Sequence, residues 1–381
     1  MKNLEDIRTE IDSIDDELAK LIRRRLEITA EVAEAKQSMG AAVNDPARER
    51  AILTKVTECV GPEYEHETRL LFTTLFGVSK ARQRVLLKGE SPVVTALRAA
   101  AADATPFPSR AVVACPGTEG SYAQQAVSRI FPVPTILYFN SFEKVFEAVE
   151  KGLCPYGILP VENSAVGSVA AVYDLMVRHH FHIARAVRVK VDHVLLANPG
   201  ATLAGIREVE SHPHALAQCS IFLKSRPDVA AIPGSNTALA AAALAKSGRT
   251  DRAVIASRAC AELYGLEIIS EGIADTSYNY TRFICISRNL EVHADADKFS
   301  LMMSLPHRPG SLNGIISKFA AIDVNLTKLE SRPIPGMDFE FRFTFDFESS
   351  PTNPAALGLI SELAQDPEIE HFTFLGAFAE K

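Results

Sequence analysis

The first 40 residues carry apolar side chains at alternating steps of three and four. These positions are Leu4, Ile7, Ile11, Ile14, Leu18, Leu21, Ile28, Val32, Ala35 and Met39. This heptad spacing predicts one long helix that packs lengthwise against partners, and Gly40 is a natural stop signal. One position of the apolar seam holds Arg25 instead.

Arg25 has two interpretations that the residue alone leaves open. It is either a snorkelling or register-setting arginine, or it binds an anion, because burying an unpaired charge is costly. Lys36 returns to nearly the same face about 16 Å along the axis, so the pair could bracket a small dicarboxylate. Arg8 lies about 25 Å from Arg25 and off its face. Arg8 therefore reaches the same ligand only from a second, antiparallel chain, which would make this helix the spine of a dimer.

Two more helices are predicted within residues 1–90. The second begins with Asp45 as its N-cap and Pro46 at its first position. The third is expected from about residue 63 to 88. Within it Ser79 and Gln83 share a face, and exposure to solvent is the ordinary explanation for such residues.

The polar residues of this segment have a distinctive order and spacing. They are Arg8, Arg25, Lys36, Asp45, Arg48, Glu49, Ser79 and Gln83. Over about 90 residues this set resembles the all-helical chorismate mutase family, whose substrate lies between the helices of an intertwined dimer. The resemblance implies that Arg25, Arg48 and the second chain's Arg8 hold the two carboxylates of chorismate.

The implied reaction suits these residue types. The rearrangement of chorismate to prephenate is pericyclic, so it needs neither a nucleophile nor a proton relay. An enzyme accelerates it by holding the reactive conformer and by stabilising charge on the breaking ether bond. The resemblance assigns the ether oxygen to Lys36 and Gln83 and the ring hydroxyl to Glu49.

A different pattern follows the linker at residues 91–108. Short apolar runs alternate with helical segments, which predicts an α/β domain of mostly parallel strands over residues 109–290. Such sheets bind ligands at the carboxyl ends of their strands. Strands are expected at residues 111–115, 135–139, 156–161, 186–197, 208–211, 229–232, 253–256 and 283–287, and helices at 141–151 and 257–264.

Unusual polar residues gather next to these strands, at 116–122, 162–167, 211–218 and 279–283. Taken singly, each group is explained by a turn or a helix cap. The first group is glycine-rich but lacks the Gly-x-Gly-x-x-Gly pattern, so a dinucleotide-binding fold is disfavoured.

As a set, these segments resemble prephenate dehydratase, most specifically through Glu-Asn-Ser-x-x-Gly at 162–167 and Asn-x-Thr-Arg-Phe at 279–283. The implied reaction removes carbon dioxide and hydroxide from prephenate to give phenylpyruvate. The leaving hydroxide needs a proton donor, a role that the resemblance gives to Thr281 within a hydrogen-bond network. The implied prephenate-binding residues are Glu119, Ser121, Asn163, Ser211, Gln218, Thr281 and Arg282.

The chain departs from this family pattern at three positions. Ser121 replaces threonine and keeps the hydroxyl, Ala123 replaces serine and loses it, and His214 replaces glutamine. Two interpretations of Arg282 stay open, a clamp on a substrate carboxylate and a structural ion pair.

The last segment, residues 297–381, predicts the order βαββαβ of a ferredoxin-like fold. Strands are expected at 299–305, 325–332, 339–347 and 368–376, and helices at 312–322 and 354–365. Phenylalanine at every second position from Phe339 to Phe347 predicts a strand with one aromatic and one polar face.

Two motifs of this segment, Pro-Gly-Ser-Leu at 309–312 and Glu-Ser-Arg-Pro at 330–333, resemble the ACT regulatory domain. The family usually has alanine where this chain has Ser311. The resemblance implies that phenylalanine binds at a dimer interface. The implied allosteric residues are Gly310, Ser311, Leu312, Asn325, Glu330 and Ser331.

Composition narrows the function classes further. A length of 381 residues suggests two or three domains, and a net charge of −7 does not favour nucleic acid or membrane partners. Six scattered cysteines indicate reduced thiols in a cytoplasmic protein. The cluster of His179, His180 and His182 lacks partners at metal-ligand spacing, so neither metal nor cofactor is expected.

The three resemblances occur in the order of one known arrangement, a bifunctional chorismate mutase–prephenate dehydratase with an ACT domain, active as a homodimer or higher homo-oligomer. One alternative is a catalytically inactive amino-acid sensor, against which Thr281 and the complete mutase set argue. The other is an oxidoreductase acting on prephenate, which would need the missing glycine motif.

Overall fold

The structure is a computed structural model that describes residues 3–334 and 340–381. The chain divides into two compact units. The first unit consists of Met1–Arg98 and Leu301–Thr373, and the second of Ala99–Ser300 and Phe374–Lys381. The mutase-like helices and most of the C-terminal segment therefore belong to the same unit.

The N-terminal segment is helical, as predicted. The four helices are α1 (Leu4–Met39), α2 (Pro46–Val60), α3 (Glu65–Lys88) and α4 (Pro92–Ala102). Helix α1 runs unbroken for 36 residues and ends at Gly40, whose φ of 64° is left-handed. Asp45 caps α2 by accepting a hydrogen bond of 2.9 Å from the amide of Arg48. Helix α4 shows that the first part of the expected linker is helical.

The apolar seam of α1 remains exposed. Its residues Leu4, Ile7, Ile11, Ile14, Leu18, Leu21, Ile28, Val32 and Met39 keep 38% to 79% of their surface accessible. Contiguous apolar surface of this extent marks an interaction site in soluble proteins. The heptad pattern thus predicted the helix correctly, while the described residues of this chain leave its apolar face uncovered.

The α/β segment contains eleven strands and seven α-helices among its described residues. The strands are β1 (Arg110–Pro116), β2 (Val133–Phe139), β3 (Tyr156–Asn163), β4 (Gly167–Ser168), β5 (His182–Lys190), β6 (His193–Ala197), β7 (Glu208–Ser211), β8 (Ala230–Pro233), β9 (Arg252–Ser257), β10 (Glu267–Ser270) and β11 (Tyr280–Ser287). The helices are α5 (Tyr122–Ile130), α6 (Phe142–Glu150), α7 (Ala170–His179), α8 (Pro213–Gln218), α9 (Ser220–Lys224), α10 (Thr237–Ser247) and α11 (Ala259–Tyr264).

These strands form two lobes. One sheet contains the order β5-β11-β3-β1-β2, and the other has the order β10-β6-β9-β7-β8. In the second sheet Leu196 and Val254 pack on α10, whereas Leu195 and Ile255 pack on the opposite side. Both faces are covered, which explains why these strands are continuous apolar runs in the sequence.

Two predictions for this segment were wrong. The expected strand at residues 186–197 is two strands, β5 and β6, that belong to different sheets, because the chain crosses between the lobes there. The sheets are mixed rather than mostly parallel, since β11 is antiparallel to β3 and β5, and β6 is antiparallel to β9 and β10. The polarity of a strand within its sheet depends on the path of the connections, which apolar runs do not report.

The C-terminal segment has the predicted order βαββαβ. Its elements are β12 (Lys298–Ser304), α12 (Ser311–Ala321), β13 (Leu326–Pro333), β14 (Phe341–Glu348), α13 (Pro354–Gln365) and β15 (Glu370–Glu380). Phe345 and Phe347 are fully buried against Phe319, as the alternation indicated. The expected polar face is also buried at Thr344 and Asp346. Phe339 lies outside the described residues.

No α-helix in the described part of the chain is both long and apolar enough to cross a membrane. Of the six cysteines, which are all unpaired, Cys59 is exposed and the other five are buried.

Candidate active sites

Helices α1, α2 and α3 surround a cavity of about 290 Å³. Its lining consists of Arg25, Ile28, Thr29, Val32, Lys36, Val43, Asp45, Arg48, Glu49, Ile52, Phe76, Ser79, Lys80 and Gln83. Seven of the eight residues implied for chorismate lie in this lining. The eighth, Arg8, does not, as its distance along α1 predicted.

Arg25 is held in place by α3. Its Nη1 donates to the carbonyl of Leu75 at 3.2 Å and to Oγ of Ser79, and its guanidinium lies 5.8 Å from the ring centre of Phe76. Partial burial lowers the pKa of Arg25 from its ordinary value. Because these partners are neutral, the charge of the guanidinium remains available to a bound anion.

The other polar groups surround the same space. Nζ of Lys36 donates to the carbonyl of Val43 at 2.6 Å. Gln83 is only 7% exposed, and its Oε1 has no partner among the described residues. Glu49 pairs with Lys80 at 3.1 Å. Sequence reasoning missed Lys80, although it shares a helix face with Gln83 three residues later, and that spacing is the signal that could have found it.

A second cavity, of about 850 Å³, is lined by both lobes of the α/β segment. The N-terminal ends of α5, α6, α7 and α10 all reach it, through residues 121–123, 141–142, 170–171 and 237. Each of these helices has nine to eleven residues, so each directs the positive end of its dipole towards the cavity. Among the described lining residues there is no Asp, Glu, Lys or Arg. A substrate anion is therefore met by helix dipoles together with hydroxyl, amide and imidazole side chains.

Thr281 faces this cavity within a hydrogen-bond network of fixed polarity. Oδ1 of Asn163 accepts from the amides of Ala165 and Val166, at 3.0 and 3.1 Å, which orients the Asn163 amide. Its Nδ2 consequently donates to Oγ1 of Thr281 at 2.9 Å and to Oδ1 of Asn279 at 2.8 Å. Because Oγ1 of Thr281 is already an acceptor, its proton is free to be donated to a ligand.

The hydrogen-bond network continues, with the same donor-to-acceptor direction, through the buried residues Asn279 and His193. Nδ2 of Asn279 donates to Oε1 of Gln218 at 3.1 Å, and Nε2 of His193 lies 3.0 Å from the same oxygen. His193 must therefore carry its proton on Nε2, and burial lowers the pKa of His193, which keeps the ring neutral. The N–H groups of Gln218 remain for the cavity. Sequence reasoning included Asn279 only as the first residue of its motif and gave it no role. It missed His193, which belongs to none of the motifs and is joined to the network only by contacts between residues distant in the chain.

Three residues predicted for prephenate do not line the cavity. Arg282 lies on the opposite face of β11 from Thr281 and pairs with Glu380 at 3.0 Å, which favours the structural ion pair. Burial alone would raise the pKa of Glu380, but Arg282 and its other cationic neighbours outweigh it and lower that pKa to about 2. Ser211 is fully buried and donates to the carbonyl of Ile255 at 2.6 Å. The backbone carbonyl of Glu119 accepts a hydrogen bond of 2.8 Å from Oη of Tyr264.

The remaining predicted residues Ser121, Asn163, Gln218 and Thr281 do line it, as do Ala123 and His214. Ser121 also caps α5, since its hydroxyl accepts from the amide of Gln124 at 3.2 Å. Ala123 presents a methyl group where the family pattern has a hydroxyl.

The residues implied for phenylalanine fall into two groups. Gly310 is the N-cap of α12 with a left-handed φ of 85°, followed by Ser311 and Leu312 in the first turn. Asn325 directly precedes β13, and Glu330 and Ser331 lie within that strand. Glu330 forms an ion pair with Arg332 at 2.8 Å.

Replacing Asn163 by aspartate is expected to lower the dehydratase kcat by about 100-fold. The carboxylate has no N–H to give to Thr281, so the threonine hydroxyl would donate to residue 163 instead of to the substrate. The effect should diminish towards acidic pH, because a protonated carboxyl can donate again. The measurement is the pH profile of phenylpyruvate formation from supplied prephenate.

Asn236→Asp is the matched control. Asn236 also lines the cavity and caps α10, a position that aspartate fills equally well. The Asn236→Asp variant adds the same negative charge to the cavity but outside the hydrogen-bond network of Thr281. It should therefore raise KM for prephenate and largely preserve kcat. Equal kcat values for the two variants would contradict the role of Asn163.

Comparisons with known proteins match the α/β segment and the N-terminal helical segment. The family model for prephenate dehydratase matches residues 113–291, and the model for chorismate mutase type II matches residues 7–84. An arogenate dehydratase/prephenate dehydratase of Arabidopsis thaliana is 36% identical over 268 residues, which cover 68% of this chain and 70% of that protein. Arogenate dehydratase 1 of Petunia hybrida is also 36% identical, over 66% of this chain and 63% of its own length.

Two solved structures share the fold. Prephenate dehydratase from Arthrobacter aurescens, in complex with L-Phe, is 30% identical with a TM-score of 0.62, and the match covers 70% of this chain and 89% of that one. A chain described as the quorum-quenching acylase GqqA is 29% identical with a TM-score of 0.62, covering 71% and 98%.

The helical segment and the two-lobed α/β segment match two enzyme families, so the chain is an isomerase joined to a carbon–oxygen lyase. The chain belongs to the prephenate dehydratase family, with a type II chorismate mutase at its N-terminus. It converts chorismate to prephenate and prephenate to phenylpyruvate, two consecutive steps of phenylalanine biosynthesis. The resemblances to chorismate mutase and to prephenate dehydratase are confirmed.

Proposed function

We propose that the cavity between α1, α2 and α3 is the mutase site and that its cations fix the diaxial conformer of chorismate. Arg25 and Arg48 hold the carboxylates together with Arg8 of a second chain. The position of Arg25 carries this proposal, since its partners Ser79 and Leu75 orient the guanidinium without neutralising it. Asp45 supports the same wall by capping the helix that bears Arg48.

The charge that develops on the ether oxygen is stabilised by Lys36 and Gln83. Both line the cavity, and both carry N–H groups that can donate to an ether oxygen. Glu49 accepts from the ring hydroxyl, and the ion pair with Lys80 holds the Glu49 carboxylate in place.

In the dehydratase site Thr281 donates a hydrogen bond to the leaving hydroxyl of prephenate. Aromatisation drives the loss of carbon dioxide, so no strong base is required. The hydrogen bond from Nδ2 of Asn163 to Oγ1 of Thr281 carries this proposal. Because Oγ1 accepts this bond, the hydroxyl proton of Thr281 points to the cavity and can be donated to the substrate. The helix N-termini and Gln218 hold the two carboxylates.

The cavity favours prephenate over arogenate, the substrate named for several relatives. Arogenate carries an ammonium group where prephenate carries a keto oxygen. A carboxylate is the strongest partner for a bound ammonium group, and the described lining of the cavity contains none. Backbone and amide donors match the keto acid instead.

Chorismate supplied alone, without metal or cofactor, tests the two-step function. We expect a transient of prephenate followed by phenylpyruvate, and a slower reaction when arogenate is supplied directly. Prephenate that accumulates unchanged would contradict an active dehydratase site.

We further propose three modules, a mutase at 1–90, a dehydratase at 109–290 joined to it by a linker at 91–108, and an ACT domain at 297–381 that binds phenylalanine. The L-Phe complex of the Arthrobacter aurescens relative and the left-handed turn at Gly310 support a regulatory role. The ligand would contact Gly310, Ser311 and Leu312 on one side and Asn325, Glu330 and Ser331 on the other. Dehydratase rates that do not change in saturating phenylalanine would contradict feedback.

A homodimer or higher homo-oligomer accounts for the exposed seam of α1. A second antiparallel copy would cover the apolar residues of the seam and bring its own Arg8 to the cavity. The same dimer would therefore explain both the absence of Arg8 from the cavity of its own chain and the exposure of the apolar seam of α1.

A further inference from the structure

His193 lies where the chain crosses from the lobe that contains β5 and β11 to the lobe that contains β6 and β9. It is the first residue of β6 and follows β5 after the crossover residues 191 and 192. The chain crosses back between β10 and β11, and Asn279 directly precedes β11. The amide of Val191 donates a hydrogen bond of 2.8 Å to the carbonyl of Asn279, which joins the two crossovers. His193 and Asn279 are therefore fixed relative to each other at the boundary of the lobes.

Both ring nitrogens of His193 are occupied by protein groups. Nε2 lies 3.0 Å from Oε1 of Gln218, and Nδ1 lies 3.3 Å from Oη of Tyr122. Burial raises the pKa of Tyr122 well above its ordinary value, so the phenol keeps its proton and can donate it to Nδ1 or to the carbonyl of Asp192 at 2.8 Å. His193 is only 3% exposed and packs edge to face on the Tyr122 ring, with 5.7 Å between the ring centres. A histidine in a cavity is an obvious candidate for a proton donor, but this one has no nitrogen left for a substrate.

The oxygen of the Gln218 amide accepts two hydrogen bonds. One comes from Nδ2 of Asn279 at 3.1 Å and the other from Nε2 of His193 at 3.0 Å. An amide that accepts two bonds on its oxygen presents its NH2 group in the remaining direction, and Gln218 lines the cavity. With the Asn279 bond alone, the Gln218 amide would keep its polarity but could turn about that single contact. The bond from His193 therefore restricts the amide to one direction.

We propose that His193 is a positioning residue of the dehydratase site, whose Nε2–H holds the Gln218 amide with its N–H groups towards prephenate. This role rests on the proposed function of Gln218 in holding a substrate carboxylate. A contact that is made equally in the ground state and in the transition state contributes uniform binding, and its loss raises KM without lowering kcat. Variants of His193 are therefore expected to change KM, whereas variants of Thr281 change kcat.

His193→Ala in the full-length protein is the first test. Loss of one neutral hydrogen bond corresponds to about three- to tenfold, so we expect KM for prephenate to rise by that factor and kcat to stay within about twofold of normal. His293→Ala is the matched control and should keep the normal KM. His293 is buried in the same unit, is hydrogen-bonded to the carbonyl of Thr105 and to Glu291, and does not line the cavity. A lower kcat with a normal KM in His193→Ala would overturn the proposal, because it would mark a proton donor.

Small imidazoles test whether the donated hydrogen bond itself is responsible. Because His193 lines the cavity, added imidazole can enter the space that the alanine variant leaves and supply an N–H to Gln218. N-methylimidazole has nearly the same shape but no N–H when it is neutral, as it is at about pH 8.5, well above the ordinary pKa of an imidazole. We expect imidazole to return KM to within about twofold of normal and N-methylimidazole to have no effect. Equal rescue by both compounds, or rescue by neither, contradicts the donor role.

A double variant tests whether His193 acts through Gln218. If it does, His193→Ala should change KM by less than about twofold in a Gln218→Ala background, because the amide that it holds is already absent. Additive effects of the two substitutions would show that His193 acts by another route. Turnover of prephenate by the unmodified enzyme, and its loss in Thr281→Ala, report separately on the dehydratase site. The role of His193 can therefore fail while the proposed function stands.

Discussion

Thr281→Ala is expected to lower the dehydratase kcat by at least about 100-fold while the mutase rate stays unchanged. The substitution removes the one hydroxyl proton that the network around Asn163 leaves free for the cavity. The donor on Asn163 also loses its acceptor, which adds a stability cost of about 1–3 kcal/mol. The two activities are read separately, as phenylpyruvate formed from supplied prephenate and prephenate formed from chorismate.

Two further substitutions of Thr281 isolate the hydroxyl. Thr281→Ser restores the donor and should recover most of the rate, whereas Thr281→Val keeps the branched shape and should be as slow as the alanine variant. A valine variant with normal kcat would show that the hydroxyl does not protonate the leaving group.

Arg25→Ala is expected to reduce the mutase kcat/KM by about 100-fold or more and to leave the dehydratase active on supplied prephenate. Truncating one partner of a hydrogen-bonded charge pair, here the guanidinium and a substrate carboxylate, costs about 2–5 kcal/mol, and each step of about 1.4 kcal/mol corresponds to about tenfold. Arg23→Ala is the matched control, because Arg23 lies on the same helix but is 82% exposed and pairs only with Glu27 among the described residues. Equal loss of both activities in Arg25→Ala would refute separate sites.

Co-expression of Arg25→Ala with Arg8→Ala chains tests the shared site. If each mutase site combines Arg25 of one chain with Arg8 of the other, a mixed dimer keeps one site free of both substitutions. Random pairing should then recover about a quarter of the normal mutase activity, although each variant alone is inactive. Without any recovery, Arg8 cannot act from a second chain.

Local patterns in the sequence account for most of the helices and strands. The heptad spacing of α1, the cap at Asp45 and the phenylalanine alternation of β14 each follow from interactions between residues close in the chain, which periodicity reports directly. Several residues that the resemblance implied for the mutase site lie at such local spacings. Arg25 and Lys36 lie at helical spacings on one element, and Ser79 and Gln83 lie at helical spacings on another.

The dehydratase site was predicted less completely. Thr281 and Arg282 are neighbours in one motif, yet the pleat of β11 turns one towards the cavity and the other towards Glu380. Ser211 follows the right strand but is committed to the carbonyl of Ile255. A motif therefore predicts which residues lie near a site. Whether each side chain points towards the site depends on the pairing and the pleat of the strand that carries it.

The sequence by itself determined the helical mutase, the βαββαβ order of the C-terminal segment and the two chemistries, because each rests on local periodicity or on residues within short motifs. Only the tertiary structure decided the division of β5 from β6 and the network that joins Asn163 to His193. These features depend on contacts between residues far apart in the chain, and no local pattern records which distant side chain completes a hydrogen bond or closes a cavity.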